Sequence, residues 1–144
     1  MYKLTVELVP RPLWELNLRS LIPTEQWDQL RHATYRAAEY RCQICSGVGP
    51  THPVECHEMW QYDDEQRVQK LIGLIALCPA CHEAKHAGLA KIRGRSDKVI
   101  AHLMAVNEWS MQEAKQHLAE AFATHGKRSQ EEWTQDLSWL KEEP

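Results

Sequence analysis

The chain has 144 residues, of which 43% are hydrophobic and 26% charged, with a formal net charge of −3. This length suits one domain with its own core, and the composition excludes collagen-like, coiled-coil and disordered chains. The longest apolar run, residues 71–78, is too short for a membrane span of about 20 residues. The acidic balance argues against a general nucleic-acid coat protein but leaves room for a local basic patch.

The N-terminal part is predicted to contain one strand and one helix, within residues 3–40. Polar and apolar residues alternate over residues 3–8, which predicts a half-buried strand. Residues 13–22 carry apolar side chains without a clear period, so we expect irregular, packed chain there. A helix is predicted over about 24–40, with Trp27 on its apolar face.

Four of the five cysteines form two C-x2-C pairs, Cys42 with Cys45 and Cys78 with Cys81, and Cys56 is left over. The N-terminal residues lack a secretory signal pattern, so we expect a reducing, cytoplasmic compartment in which such pairs bind metal. Two pairs of thiolates complete a closed tetrahedral site, which predicts structural Zn²⁺ at these four cysteines. Cys56 is expected to be a small buried side chain.

The segment around the cysteine pairs alternates loop and extended chain. Glycines and prolines predict a loop over residues 46–53, and residues 54–62 are expected to be extended. Residues 63–70 suggest an acidic turn or short helix, and residues 73–77 a short buried strand. Pro79 suits a first helical turn, and the helix is predicted to run to about residue 92.

Residues 95–141 are predicted to be an accessory helical region. A first helix is expected over residues 97–107, and a capping-box pattern over residues 110–113 begins a second, which Gly126 would end. A second capping-box pattern over residues 129–132 predicts a further helix.

Three histidines carry the candidate chemistry. His57 lies on the predicted extended segment, while His82 and His86 are four residues apart and face the same side of the predicted helix. Two such imidazoles can ligate one divalent ion, and a third ligand from a strand completes an open site. Glu58, beside His57, would supply a carboxylate as general base or hydrogen-bond orienter.

A basic stretch over residues 85–98 is a candidate nucleic-acid contact, with five cations against the single carboxylate of Asp97. The five cations are Lys85, Lys91, Arg93, Arg95 and Lys98. The alternative is a solvated helix end whose cations complement the helix dipole. The remaining histidines are interpreted as surface or packing residues: His32, His52, His102, His117 and His125.

The order of these motifs, C-x2-C, then E-x-H on a strand, then L-C-x2-C-H-x3-H into a helix, resembles the HNH endonucleases of the ββα-metal group. Residues 53–64 and 73–86 are similar to the bacterial and phage branch called HNHE. The resemblance implies an α+β, mainly helical fold for a single domain over residues 1–144. A zinc-stabilised ββα-metal core over about residues 41–92 would be packed between N-terminal and C-terminal helices.

The resemblance also implies an activity, the metal-dependent hydrolysis of DNA phosphodiester bonds. His57, His82 and His86 would hold a catalytic Mg²⁺, Mn²⁺ or Zn²⁺, and no organic cofactor is implied. Glu55 falls where family members often carry an acidic residue, and Glu58 falls on the position of the general-base histidine.

Two departures from the family pattern leave alternatives open. Glu58 replaces the usual base, and Gly73 stands where many members have an asparagine. In another register His57 would be the base and Cys56 a metal ligand. The second hypothesis is therefore a non-catalytic, zinc-stabilised module that binds nucleic acid or protein on a degenerate HNH scaffold. DNA is the expected partner, no membrane is expected, and the oligomeric state stays open.

Overall fold

The computed structural model describes residues 4–142 as an α+β fold, about half helical, around a three-stranded mixed sheet. The helices are a 3-10 helix at Arg11–Leu13, α1 (Leu18–Leu21), α2 (Thr24–Ala37), α3 (Pro79–Lys85), α4 (Ala87–Ile92), α5 (Ser96–Asn107), α6 (Met111–Arg128) and α7 (Trp139–Glu142). The strands are β1 (Glu55–Asp63), β2 (Val68–Leu77) and β3 (Thr134–Asp136). Across residues 4–142, no helix is long and apolar enough to cross a membrane.

β1 and β2 form an antiparallel hairpin, in register from Glu55 opposite Leu77 to Asp63 opposite Val68. The carboxylate of Asp63 accepts hydrogen bonds from two backbone N–H groups of the turn, at 2.9 and 3.0 Å, which closes the hairpin tightly. β2 therefore begins at Val68, earlier than the predicted strand at residues 73–77. A bulge interrupts the register next to Met59.

The third strand was not predicted. β3 pairs in parallel with residues 68–70 of β2, so the helix expected after residues 129–132 is wrong. Thr134 N–H donates to the carbonyl of Arg67 at 3.0 Å, and the Trp133 indole N–H donates to the carbonyl of Arg128 at 2.7 Å. These contacts hold the segment extended. A strand of three residues is too short for its alternation of polar and apolar side chains to be recognised in the sequence.

Residues 4–8 belong to no strand, so the predicted strand is wrong there, and Lys3 lies outside the described residues. The side chain of Asn107 accepts from Leu4 N–H at 2.9 Å and donates to the Leu4 carbonyl at 2.7 Å. Val6 N–H donates to His117 Nε2 at 2.8 Å, so His117 is more than a surface residue. Side chains of α5 and α6 thus form the hydrogen bonds to backbone N–H and C=O groups of this segment that a neighbouring strand would otherwise form.

The predicted helix after Pro79 is divided at His86, whose backbone leaves the helical region (φ −103°, ψ 47°). α6 begins with the predicted capping box at Ser110 and Glu113, which is confirmed. It runs through Gly126, so the predicted stop there is wrong.

The two faces of the hairpin contact different helices. One face, which includes Ile75 and Leu77, packs with α3 to α6 in the larger buried cluster. The other, which includes Leu71 and Leu74, packs with α1 and α2 around Leu18 and Trp27. Successive residues of β1 therefore point into different environments.

Candidate metal centres

The four cysteines predicted to bind zinc meet at one end of the hairpin. Cys42 and Cys45 lie in the loop before β1, Cys78 is the N-cap of α3, and Cys81 lies in its first turn. The four Sγ atoms lie within 4.8 Å of one another, and those of Cys45 and Cys78 are 3.6 Å apart. Tetrahedral Zn²⁺ with Zn–S bonds of about 2.3 Å separates its sulfurs by about 3.8 Å, so the donors fit zinc.

Backbone hydrogen bonds form the turns that carry the cysteines. Cys42 Sγ accepts from Cys45 N–H, and Cys78 Sγ accepts from Cys81 N–H, both at 3.5 Å. The hydrogen bond with the Cys81 thiol, together with backbone hydrogen bonds from Cys45, Cys78 and Ile44, outweighs burial and lowers the pKa of Cys42 to about 4. Gln43 bonds the first turn to the end of β2, through Ala76, with two hydrogen bonds of 2.9 Å.

His102 belongs to the cysteine cluster, although no sequence signal indicated it. Its Nε2 lies 3.1 Å from Cys81 Sγ, in reach of an N–H to sulfur hydrogen bond that would support a zinc thiolate. The interpretation of His102 as a surface or packing residue is wrong, because α5 packs against α3 and brings the ring to the sulfur.

The three predicted histidines also converge. His57 comes from β1, His82 from α3, and His86 from the residue that ends α3. One ring nitrogen of each lies within 4.8 Å of the other two, and Nε2 of His82 and His86 are 3.0 Å apart. With metal–nitrogen bonds of about 2.1 Å, that separation corresponds to an angle of about 90° at a shared ion. Such a set occupies one side of an ion and leaves the other side open.

The Glu55 carboxylate forms hydrogen bonds with two histidines, His82 and His52. One carboxylate oxygen accepts from His82 Nδ1 at 2.9 Å and the other from His52 Nε2 at 3.0 Å. Because Nδ1 of His82 carries the donated proton, the lone pair of Nε2 is directed at His86 and the shared centre. Burial by itself raises the pKa of Glu55, but the two histidine hydrogen bonds outweigh it and lower the pKa.

The environment keeps the imidazoles of His57 and His86 neutral, which is the form that binds a metal. Burial, followed by the neighbouring charges of His86, His82 and Lys85, lowers the pKa of His57 to about 2. Burial and the proximity of His82 lower the pKa of His86 to about 4.

The structure does not bring Glu58 to the histidines, which corrects its expected place beside the metal. Glu55 and His57 point towards α3, whereas Glu58 lies on the opposite face and accepts from Leu18 N–H at 3.2 Å. Burial raises the pKa of the Glu58 carboxyl, partly offset by hydrogen bonds from Leu18 N–H and Trp60. Residues adjacent in sequence on a strand face opposite sides, so His57 and Glu58 cannot both reach the same centre.

Cys56 shares the face of Glu58, so it does not join the histidines as the alternative register requires. Burial raises the pKa of its thiol to about 11, with a hydrogen bond to Thr34 of α2 acting in the other direction. It packs beside Leu18 and Trp27 as a half-buried side chain, so the predicted packing role agrees with the structure but the predicted full burial does not.

The basic stretch is partly neutralised by contacts within the chain. Lys85 Nζ lies 3.1 Å from a carboxylate oxygen of Glu7, and Arg95 pairs with Glu83. Lys91 lies over the ring of Phe122, 5.0 Å from its centroid. Arg93 and Lys98 are exposed, with no ion pair to any residue between 4 and 142.

No protein-family model, curated protein or solved structure matches this chain. Its functional interpretation therefore depends on the two clusters themselves. The four-cysteine cluster is consistent with structural Zn²⁺, and the histidine triad is a candidate second metal site.

Replacing Cys42 by serine should release about one Zn²⁺ per chain and markedly lower the melting temperature, because structural zinc contributes directly to folding free energy. Metal analysis and thermal unfolding measure both effects. Cys56→Ser is the matched control, since its thiol faces α2, and it should keep the zinc. Equal zinc contents in the two variants would contradict the assignment.

Acidification should destabilise the protein through His57. The pKa of this ring lies far below its ordinary 6.5, so below pH 6.5 the unfolded chain takes up a proton that the folded chain does not. The stability contributed by neutral His57 is thus present above pH 6.5 and lost as the pH falls. Between about pH 7.5 and pH 5 the loss is at most about 2 kcal/mol.

Urea unfolding of the zinc-loaded protein at both pH values, with no further metal added, measures this loss. His57→Gln should lose less free energy of unfolding than the unmodified chain over the same interval. An identical pH dependence in both proteins would show that the folded state does not exclude the proton from this ring.

Proposed function

We propose that the protein is a metal-dependent phosphodiesterase acting on DNA, an HNH-type endonuclease whose catalytic centre is the histidine triad. The convergence of His57, His82 and His86 from a hairpin and the helix that follows it carries the proposal. The resemblance of the motifs to HNH endonucleases supplies the reaction class.

Each group in the site has a distinct role under this proposal. The three imidazoles hold a divalent ion, which would lower the pKa of bound water and stabilise charge on the phosphate. Glu55 positions His82 through Nδ1. Lys91, which lines the same cleft, neutralises flanking phosphates. An all-nitrogen donor set favours Zn²⁺ or Mn²⁺ over Mg²⁺, which prefers oxygen ligands.

A second candidate function follows from the position of Glu58. With this carboxylate hydrogen-bonded to Leu18 N–H on the opposite face of β1, the residue that matches the family's general base is turned away from the histidines. A zinc-stabilised module that binds DNA or protein without cutting it is consistent with this arrangement. The absence of turnover with any metal, together with DNA binding, would favour it.

The proposal predicts nicking of supercoiled plasmid by the zinc-loaded protein when Mn²⁺ or Zn²⁺ is added, and less with Mg²⁺. His57→Ala should reduce nicking to background, because it removes a ligand. Glu55→Gln should reduce it about 10- to 100-fold, as is typical when a partner of a ligating histidine is changed. Gel electrophoresis of the plasmid forms measures the rates.

His32→Ala is the matched control, because His32 is exposed on α2 and contacts only the ring of Tyr35 among the described ring pairs. It should nick as fast as the unmodified chain. Zinc content and circular dichroism verify that each variant is folded. Equal cleavage by the unmodified protein and His57→Ala, or no cleavage of supercoiled plasmid or of circular single-stranded DNA with any metal, would refute the proposal.

A further inference from the structure

A cleft of about 1190 Å³ opens beside the histidine triad. Binding sites for small molecules usually occupy about 300–1,000 Å³, so this one can hold more than a single phosphate group. The face of the hairpin, the N-terminal segment, α4 and α6 all contribute to its walls. The three histidines line the same cleft.

The helix α4 turns its large apolar side chains to this cleft and its small ones to the core. Ala87 and Ala90 are buried, whereas Leu89 is 47% exposed and Ile92 is 82% exposed. Leu89 and Ile92 are three residues apart and so share one side of the helix. Ile72, which has no partner in the β1–β2 register at the bulge, is 46% exposed and lines the cleft as well. Aliphatic side chains gathered in this way mark a surface that a ligand covers.

An aromatic side chain and a cation complete the surface. Trp14 also lines the cleft, more than half exposed, and its indole N–H donates to the Val9 carbonyl at 2.7 Å, which holds the ring in place. Lys91 lines the cleft from α4. A ligand that suits this surface has flat apolar groups together with negative charge.

We propose that this cleft binds single-stranded DNA, with unpaired bases against Trp14, Leu89 and Ile92 and the phosphates against Lys91 and the histidines. The inference rests on the proposed function and specifies the form of its substrate. Base faces are free to pack on aromatic and apolar side chains only in a single strand.

The charge distribution argues against a duplex. A duplex keeps its base faces stacked inside and presents phosphates, so it is bound through many unpaired cations. This chain has a net charge of −3, and both Lys85 and Arg95 are already paired with carboxylates. An apolar, concave wall beside few free cations suits unstacked bases better than a duplex surface.

Fluorescence anisotropy with the zinc-loaded, full-length protein tests the inference without requiring turnover. The probes are labelled 12-nucleotide DNAs with phosphorothioate linkages: a mixed-sequence single strand, the same sequence as a duplex, and an abasic single strand with the same charge. We expect the single strand to bind at least about tenfold more tightly than either of the others. Equal or tighter binding of the duplex or the abasic strand would overturn the proposal.

The double variant Leu89→Ser/Ile92→Ser tests whether the single strand binds in the cleft that these two side chains line. Both side chains are exposed, so the melting temperature should stay unchanged while affinity for the single strand falls about tenfold. Met111→Ser is the matched control, because Met111 is 53% exposed but lies outside the cleft, and it should bind normally. Unchanged affinity in the double variant would also overturn the proposal.

The two proposals fail separately. If neither supercoiled plasmid nor circular single-stranded DNA is cut but the single-strand preference is present, the cleft inference stands and the endonuclease proposal fails. If nicking occurs and the duplex binds best, only the cleft inference fails.

Discussion

The four-cysteine cluster, in which the two cysteine pairs meet, is the constraint on which the rest of the site depends. One pair precedes β1 and the other follows β2, so a zinc ion bound by all four sulfurs closes the hairpin at the end where α3 begins. α3 is seven residues long, too short to be stable alone. Its direction is therefore set by Cys78 and Cys81, and that direction places His82 and His86 over His57.

The alternation of side chains along β1 decides what the histidine centre can do. Glu55 and His57 point towards α3, so the carboxylate lies behind His82 and fixes its tautomer. Glu58 points towards α1 and α2 and is absorbed into the packing there. The candidate centre thus combines three imidazoles with a positioning carboxylate.

The sequence predicted both clusters because spacing determines them: two residues between cysteines make one turn, and histidines four positions apart share one helical face. It predicted β1, α5 and the capping box of α6 because their signals are local. It missed β3, the contact of His102 with Cys81 and the side-chain pairing of Leu4, since each depends on residues brought together from distant parts of the chain. Glu58 was misplaced because adjacency in sequence was taken for adjacency in space.

We expect one hairpin–helix unit to carry two chemically different metal centres. Titration of the metal-free protein with Co²⁺, followed by visible and near-ultraviolet absorption, distinguishes the two. The first equivalent should produce thiolate-to-cobalt charge transfer, and a second should add ligand-field absorption without further charge transfer. His57→Ala should abolish only the second phase. Saturation of the unmodified chain at one equivalent, or charge transfer growing through both phases, would contradict the presence of two different centres.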